Sequence, residues 1–380
     1  MIDFLIDRGA DPNGAVHHSP PPPTDPDGFG FVAGERALHI AARGEGNEQM
    51  IRALTRAHAD PNATDGTGRT PLIVACACVD VSVEVVQVLL EVGADPSLAE
   101  ETGVTALHFA TRNGRLDVFE MLFAKSPGTL NRHSDDGKST LLLACGNGHV
   151  GLVIWLLSLG ARQETTRPER KIISGLSMAA MQDHVGVARV LISGKQEAVG
   201  GKPKLLDALF SAARYGKPRV LRLMLAADGE EGRSGWANTP LDGKRLLNFG
   251  AAYCYPGVVS VLLGAGASEA ARDSNGHFPR DIVGIAIGQE LNQKDRGKEV
   301  AVRRMLKRGP AYRARSWAWP AEEADSGYYC DEESYAVHTP PPAPKAPMGV
   351  QISIVRPKSS NSSRRKRLVG LIDRYCRKKY

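Results

Sequence analysis

The chain has 380 residues and 42 % hydrophobic content, enough to bury a substantial core. Its formal net charge of +6 sits at one end: residues 364–380 carry eight basic residues and one acid, so the remainder sums to about −1 and has no general attraction for polyanions. The longest apolar run, Val150 to Ala161, is too short for a bilayer span of about 20 residues, and Met1-Ile2-Asp3-Phe4 does not read as a basic secretory leader, so an intracellular protein, cytoplasmic or nuclear, is expected.

Residues 1–13 carry Ile2, Leu5 and Ile6 at helical spacing and close on Gly-Ala-Asp-Pro. They read as the second helix of a two-helix unit whose first helix is missing, and suggest a natural start further upstream. Residues 14–35 form an insertion with four consecutive prolines, Pro20 to Pro23, which favour an extended, solvated loop. From residue 36 to about 309 one unit recurs. Gly103 to Phe123 is its clearest copy. Thr105 is the helix N-cap, with a hydroxyl able to accept from an orphan N–H. Leu107 and Ala110 lie on one helical face, Asn113-Gly114 ends that helix, and Val118, Met121 and Leu122 make the stripe of a second. The place of Thr105 is taken in turn by Arg36, Thr70, Thr105, Ser139, Ser174, Asp207, Arg245 and Phe278, at spacings of 34, 35, 34, 35, 33, 38 and 33. Asp65-Gly66, Asp136-Gly137 and Asn275-Gly276 are turn signals at corresponding places between units. Residues 194–204 and 228–244 read as Gly- and charge-rich insertions, and the charged second helix of the last unit, Val300 to Lys307, suits a terminal cap.

A period near 33 with Thr70-Pro71-Leu72, Thr105-Ala106-Leu107-His108, Ala37 to Ala42, and Gly-Ala-Asp-Pro at Gly9 to Pro12 and Gly93 to Pro96 resembles the ankyrin repeat. The resemblance implies an all-α solenoid of about eight stacked helix-turn-helix units with short β-hairpin or loop tips, and no cofactor. It also implies that His39 and His108 hydrogen-bond near the cap residue and tie repeats together. That His is replaced by Ile73, Leu142, Ser177, Phe210 and Asn248, so the tie is expected to be intermittent. Cys76 and Cys145, six residues after Thr70 and Ser139, read as small buried residues rather than disulfide or metal partners.

No phosphate loop, dinucleotide fingerprint, serine-nucleophile elbow or zinc-protease motif occurs, and the carboxylates are scattered through turns. A non-enzymatic, monomeric scaffold or adaptor is expected, binding a protein partner through the concave groove of tips and inner-helix ends. Its candidate contact residues are Thr67, Arg69, Arg112, Asn113, Arg132, His133, Lys138, Asn147, Arg167 and Arg170, an Arg- and Asn-rich set suited to polar recognition. Residues 310–363 are acidic, then Pro- and Ser-rich, a composition that does not build a core. In 364–380, Arg364, Arg365, Lys366 and Arg367 with Arg377, Lys378 and Lys379 resemble a nuclear-import signal, or form a basic amphipathic helix for an anionic membrane surface or nucleic acid. The alternatives are therefore a regulatory protein acting through this tail, or a piece of a larger protein whose further domain, catalytic or not, lies upstream.

Overall fold

The computed structural model describes residues 8–15, 33–79, 82–161, 174–193, 202–227, 229–287 and 293–308, all within one compact unit, Met1–Arg315. These residues hold sixteen α-helices and no strand; single antiparallel bridges occur at Ala99–Thr105, His133–Ser139 and Leu241–Lys244. Three of the described tips are thus loops closed by one bridge.

Seven inner helices alternate with seven outer ones. The first pairs are α1 (Ala37–Arg43) with α2 (Glu48–Arg56), α3 (Pro71–Ala77) with α4 (Val83–Glu91), and α5 (Ala106–Arg112) with α6 (Leu116–Lys125). They are followed by α7 (Thr140–Gly146) with α8 (Val150–Ser158) and α9 (Gly175–Gln182) with α10 (Val185–Ser193). Next come α11 (Lys202–Arg214) with α12 (Pro218–Leu225), an additional helix α13 (Gly229–Asn238), and α14 (Leu246–Ala252) with α15 (Pro256–Gly264). Helices of seven to ten residues are too short to persist alone in water. Each inner helix packs on its neighbours, and their leucines Leu38, Leu72, Leu107, Leu141, Leu176, Leu209 and Leu247 are all buried. The hydrophobic core is therefore a continuous line through the stack rather than a central ball.

Helix starts follow the expected chemistry where Thr or Ser is available. The hydroxyls of Thr70, Ser139 and Ser174 accept from the N–H groups of Ile73, Leu142 and Ser177 at 3.3, 3.3 and 3.1 Å. Thr105 differs. Its hydroxyl lies 2.8 Å from His108 Nδ1, while the His108 N–H donates to the Thr105 carbonyl at 3.0 Å. Nδ1 of His108 thus lies within reach of both the Thr105 hydroxyl and the Thr105 N–H, at 2.8 and 3.2 Å.

Three readings change. Asp207 does not start a helix: α11 begins at Lys202, so Asp207 lies inside it, and the last residues of the expected 194–204 insertion are helical. The expected insertion 228–244 contains α13 despite four glycines in its neighbourhood, because Ala237 is buried and Asn238 is pinned to the next unit. In the last unit the inner helix shrinks to a 3-10 turn, Pro279–Ile282, and the outer helix α16 is longer than expected, Gln293–Arg308, with Val302 as its buried contact. Residues 1–7, most of the proline insertion and 309–380 lie outside the described residues.

Candidate functional site

The surface formed by tips and inner helices is held by four sets of ties between units. In the first, His39 and His108 accept at Nδ1 from the backbone N–H of Arg36 and Thr105, both at 3.2 Å, and donate from Nε2 to the carbonyls of Arg69 and Arg132, 2.9 and 3.1 Å away in the following tip. One ring nitrogen accepts and the other donates, so each imidazole is neutral. Asn248 stands where these histidines stand and restores a polar tie: its Nδ2 donates to Asp273 Oδ2 at 3.2 Å. The second set lies at the turn between paired helices. Nε2 of His149 and His184 reaches back to the carbonyls of Arg112 and Gly146, 2.9 and 3.1 Å away in the preceding unit.

The third set comes from asparagine. Asn13 donates to the His58 carbonyl and accepts from Asp60 N–H at 2.9 and 2.8 Å; Asn62 clasps Gly93 and Asp95 in the same way at 3.1 and 2.8 Å. Asn238, delivered by α13, does so for Gly266 and Ser268 at 2.9 and 2.8 Å. The fourth set links tip to tip: Gly66 N–H to Ala33, Asp135 N–H to Thr102 and Ser274 N–H to Gly243, at 2.7, 2.7 and 2.8 Å. The clasp by Asn13 ties residues 8–15 to the first full unit.

Burial depresses the pKa of His39, His108 and His149, and holds His108 at about 4. A histidine that folds neutral supports stability fully above its ordinary value of 6.5, and that support drains away as pH falls from there toward about 4. The unfolded chain takes up a proton over this window and the native ring does not. The slope is at most about 1.4 kcal/mol per pH unit. His108→Gln is therefore expected to lie well below the wild type in urea stability at neutral pH and to converge on it in mild acid. A constant gap across this range would contradict the neutral-tie assignment.

The candidate contact residues divide once placed. Thr67 and Arg69 build their own tip: the buried Asp65 carboxylate accepts from Thr67 N–H and hydroxyl at 2.8 and 2.7 Å, and from Arg69 N–H and Nε at 3.0 and 3.2 Å. Burial alone would raise the Asp65 pKa, but these bonds outweigh it and hold the carboxyl below its ordinary value. Asn113 reaches back to the Cys76 carbonyl at 3.0 Å, and Arg132 to Ser97 at 2.7 Å, so both side chains tie units. Lys138 pairs with Asp136 at 2.7 Å, and Asn147 bonds the Leu143 carbonyl of its own helix end at 2.8 Å; both are exposed. His133 is half-buried beside its bridge to Ser139. Arg112 is exposed, and its guanidinium has no partner among the described residues. Arg167, Arg170 and the basic residues Arg364 to Arg367 and Arg377 to Lys379 lie outside the described residues.

Four positions after the cap place, the inner helices carry Ile40, Phe109, Leu143, Met178 and Phe249. Ile40 is 40 % exposed and the other four are half-buried. The same place holds Val74, which is buried, and the polar Ser211, so the stripe of partly open apolar side chains is unbroken only from Phe109 through Leu143 to Met178. Its signal in the sequence was the fixed offset, which also looks like ordinary core periodicity. No cluster of His, Cys, Asp or Glu able to hold a metal occurs among the described residues, nor a helix long and apolar enough to cross a membrane.

A family model described as ankyrin repeats in three copies matches residues 1–100, 38–132 and 77–168. The chain is 40 % identical over 85 residues to the ANK repeat-containing protein nipk-1 of Caenorhabditis elegans, covering 22 % of this chain and 14 % of that one. It is 33 % identical over 141 residues to human ankyrin repeat domain-containing protein 63, covering 36 % of each. A 168-residue stretch is 30 % identical to human transient receptor potential cation channel subfamily A member 1, covering 42 % of this chain and 14 % of that one. The chain thus spans between 14 and 36 % of the length of these relatives. The ankyrin repeat domain of human ASB11 superposes with a TM-score of 0.48 at 18 % identity, over 59 % of this chain and 100 % of that one.

Proposed function

This is an ankyrin-repeat-containing protein, and we propose that it works inside the cell, without catalysis, as a scaffold or adaptor that holds a protein partner on its tips and inner helices. Ankyrin repeats generally serve protein–protein interaction. The observation that carries the finer reading is the half-buried apolar stripe Phe109, Leu143 and Met178 at one register of three successive units, with Ile40 and Phe249 at the same place in other units. Such a patch, rimmed by polar tips, is what a protein interface uses. The non-catalytic reading is supported by how the histidines are spent: His39, His108, His149 and His184 each bond a backbone carbonyl of another unit. Arg112 is the polar candidate best placed for a partner, since its side chain is not consumed inside the array.

The test is affinity capture with the full chain and with residues 309–380 deleted. An unchanged partner set is expected. Loss of every partner on deletion would overturn this reading in favour of the basic tail, whose net charge of +7 over residues 364–380 is the observation behind the second reading.

A further inference from the structure

The turn between paired helices changes character toward the C-terminal end of the array. Earlier, a residue with positive φ is followed by a histidine that reaches back: Gly148 precedes His149 and Asp183 precedes His184. In α14–α15 the same pair is Cys254, also at positive φ, and Tyr255. The phenol does not make the backward bond. Its ring lies flat over the preceding turn, so close that a Cβ on Gly216 would sit 2.9 Å from it. Tyr253 stacks on the Tyr255 ring at 5.8 Å and 8°. Tyr215, the residue before Gly216, is 49 % exposed. None of these three hydroxyls has a hydrogen-bond partner among the described residues.

The surroundings are cationic. Arg214 is exposed and Lys217 half-buried on either side of Tyr215 and Gly216, and Lys298 of α16 is close enough to act on the Tyr255 phenol. Burial pushes that phenol up, Tyr253 adds to the push, and Lys298 opposes both, so the hydroxyl stays protonated and able to donate. Asp183, which also interacts with Lys217, is already engaged by the Val220 N–H at 3.2 Å. Phe249, one helical turn before Tyr253, is half-buried and packs edge-to-face with Phe210 at 5.7 Å.

We propose that the corner formed by Tyr215, Tyr253 and Tyr255 with Arg214 and Lys217 binds an acidic segment of a protein partner, with carboxylates taken by the phenol hydroxyls and the cations. The inference rests on the protein-binding reading above and names the chemistry of one stretch of the partner. Charge complementarity selects an acidic segment. A single-stranded nucleic acid fits less well, because bases need open ring faces. Tyr255 has one face on Gly216 and the other on Tyr253.

The test is fluorescence anisotropy of the full chain with a fluorescein-labelled peptide repeating Glu-Asp-Leu, beside a length-matched Lys-Lys-Leu peptide and oligouridine. The acidic peptide is expected to bind and to weaken with salt. Two variants, Tyr215→Ser with Tyr253→Ser and Arg214→Glu with Lys217→Glu, are each expected to weaken it about tenfold with unchanged far-ultraviolet circular dichroism. Equal binding by wild type and both variants, as attraction to the basic tail alone would give, overturns the proposal. So does preference for oligouridine. If the wild type ignores the acidic peptide yet keeps its captured partners after deletion of 309–380, this inference falls and the scaffold reading stands. If the deletion removes every partner while the peptide still binds through the tyrosines, the scaffold reading falls instead.

Discussion

Phe119→Ala is expected to destabilise the array by about 3–5 kcal/mol, the range for removing a large aromatic from a closed core. Phe119 is fully buried in α6, and Trp155 of the next unit meets it edge-to-face at 5.1 Å and 89°. Phe123 completes the cluster, 6.2 Å from Phe119 and 5.6 Å from Trp155. The substitution therefore leaves a cavity and also breaks an aromatic contact between units, worth roughly 1 kcal/mol beyond its area. In a one-dimensional stack a weakened junction uncouples the two sides. Urea unfolding followed by tryptophan fluorescence should lose its single transition, with the Trp155 environment opening first. A loss below about 1 kcal/mol would mean that outer-helix packing is not what couples the units.

Gly148→Val is expected to cost roughly 2–4 kcal/mol, from two separable causes. The residue has φ +81, which a β-branched side chain resists. Its Cβ would also come within 2.5 Å of the His184 ring, displacing a donor that bonds Gly146 at 3.1 Å. Gly160→Val is the control, because Gly160 has φ +80 and nothing within 4 Å of the added carbon. Both variants carry the backbone strain, and only Gly148→Val breaks the tie. Equal melting temperatures for the two would show that the turn histidine does not link units.

The register of the stack was legible because cap residue, leucine and small residue recur at spacings of 33 to 38, and no other packing keeps those positions together. The forward tie of His108 was legible through the family resemblance. What stayed hidden depends on neighbours distant in sequence. Asn13, Asn62 and Asn238 each clasp a backbone segment 28 to 47 residues away. The segment Gly229–Asn238 has a loop's composition and becomes helical through what it packs against. Of the candidate contacts, Arg69, Asn113 and Arg132 are polar because the array itself needs them, and sequence does not distinguish that from polarity meant for a partner. The stripe through Phe109, Leu143 and Met178 was hidden for the opposite reason, since an apolar residue at helical spacing looks like core. Tyr255 shows how one exchange at a tie position frees a side chain for another purpose.

The central claim is that residues up to 308 hold the partner. Its most direct measurement is the affinity of a captured partner for the full chain and for the form lacking 309–380. Equal dissociation constants are the expected result, together with a marked loss when Phe109 and Leu143 are both replaced by Asp in the full chain without loss of helicity. A partner that ignores that double substitution and leaves with the tail would contradict the account.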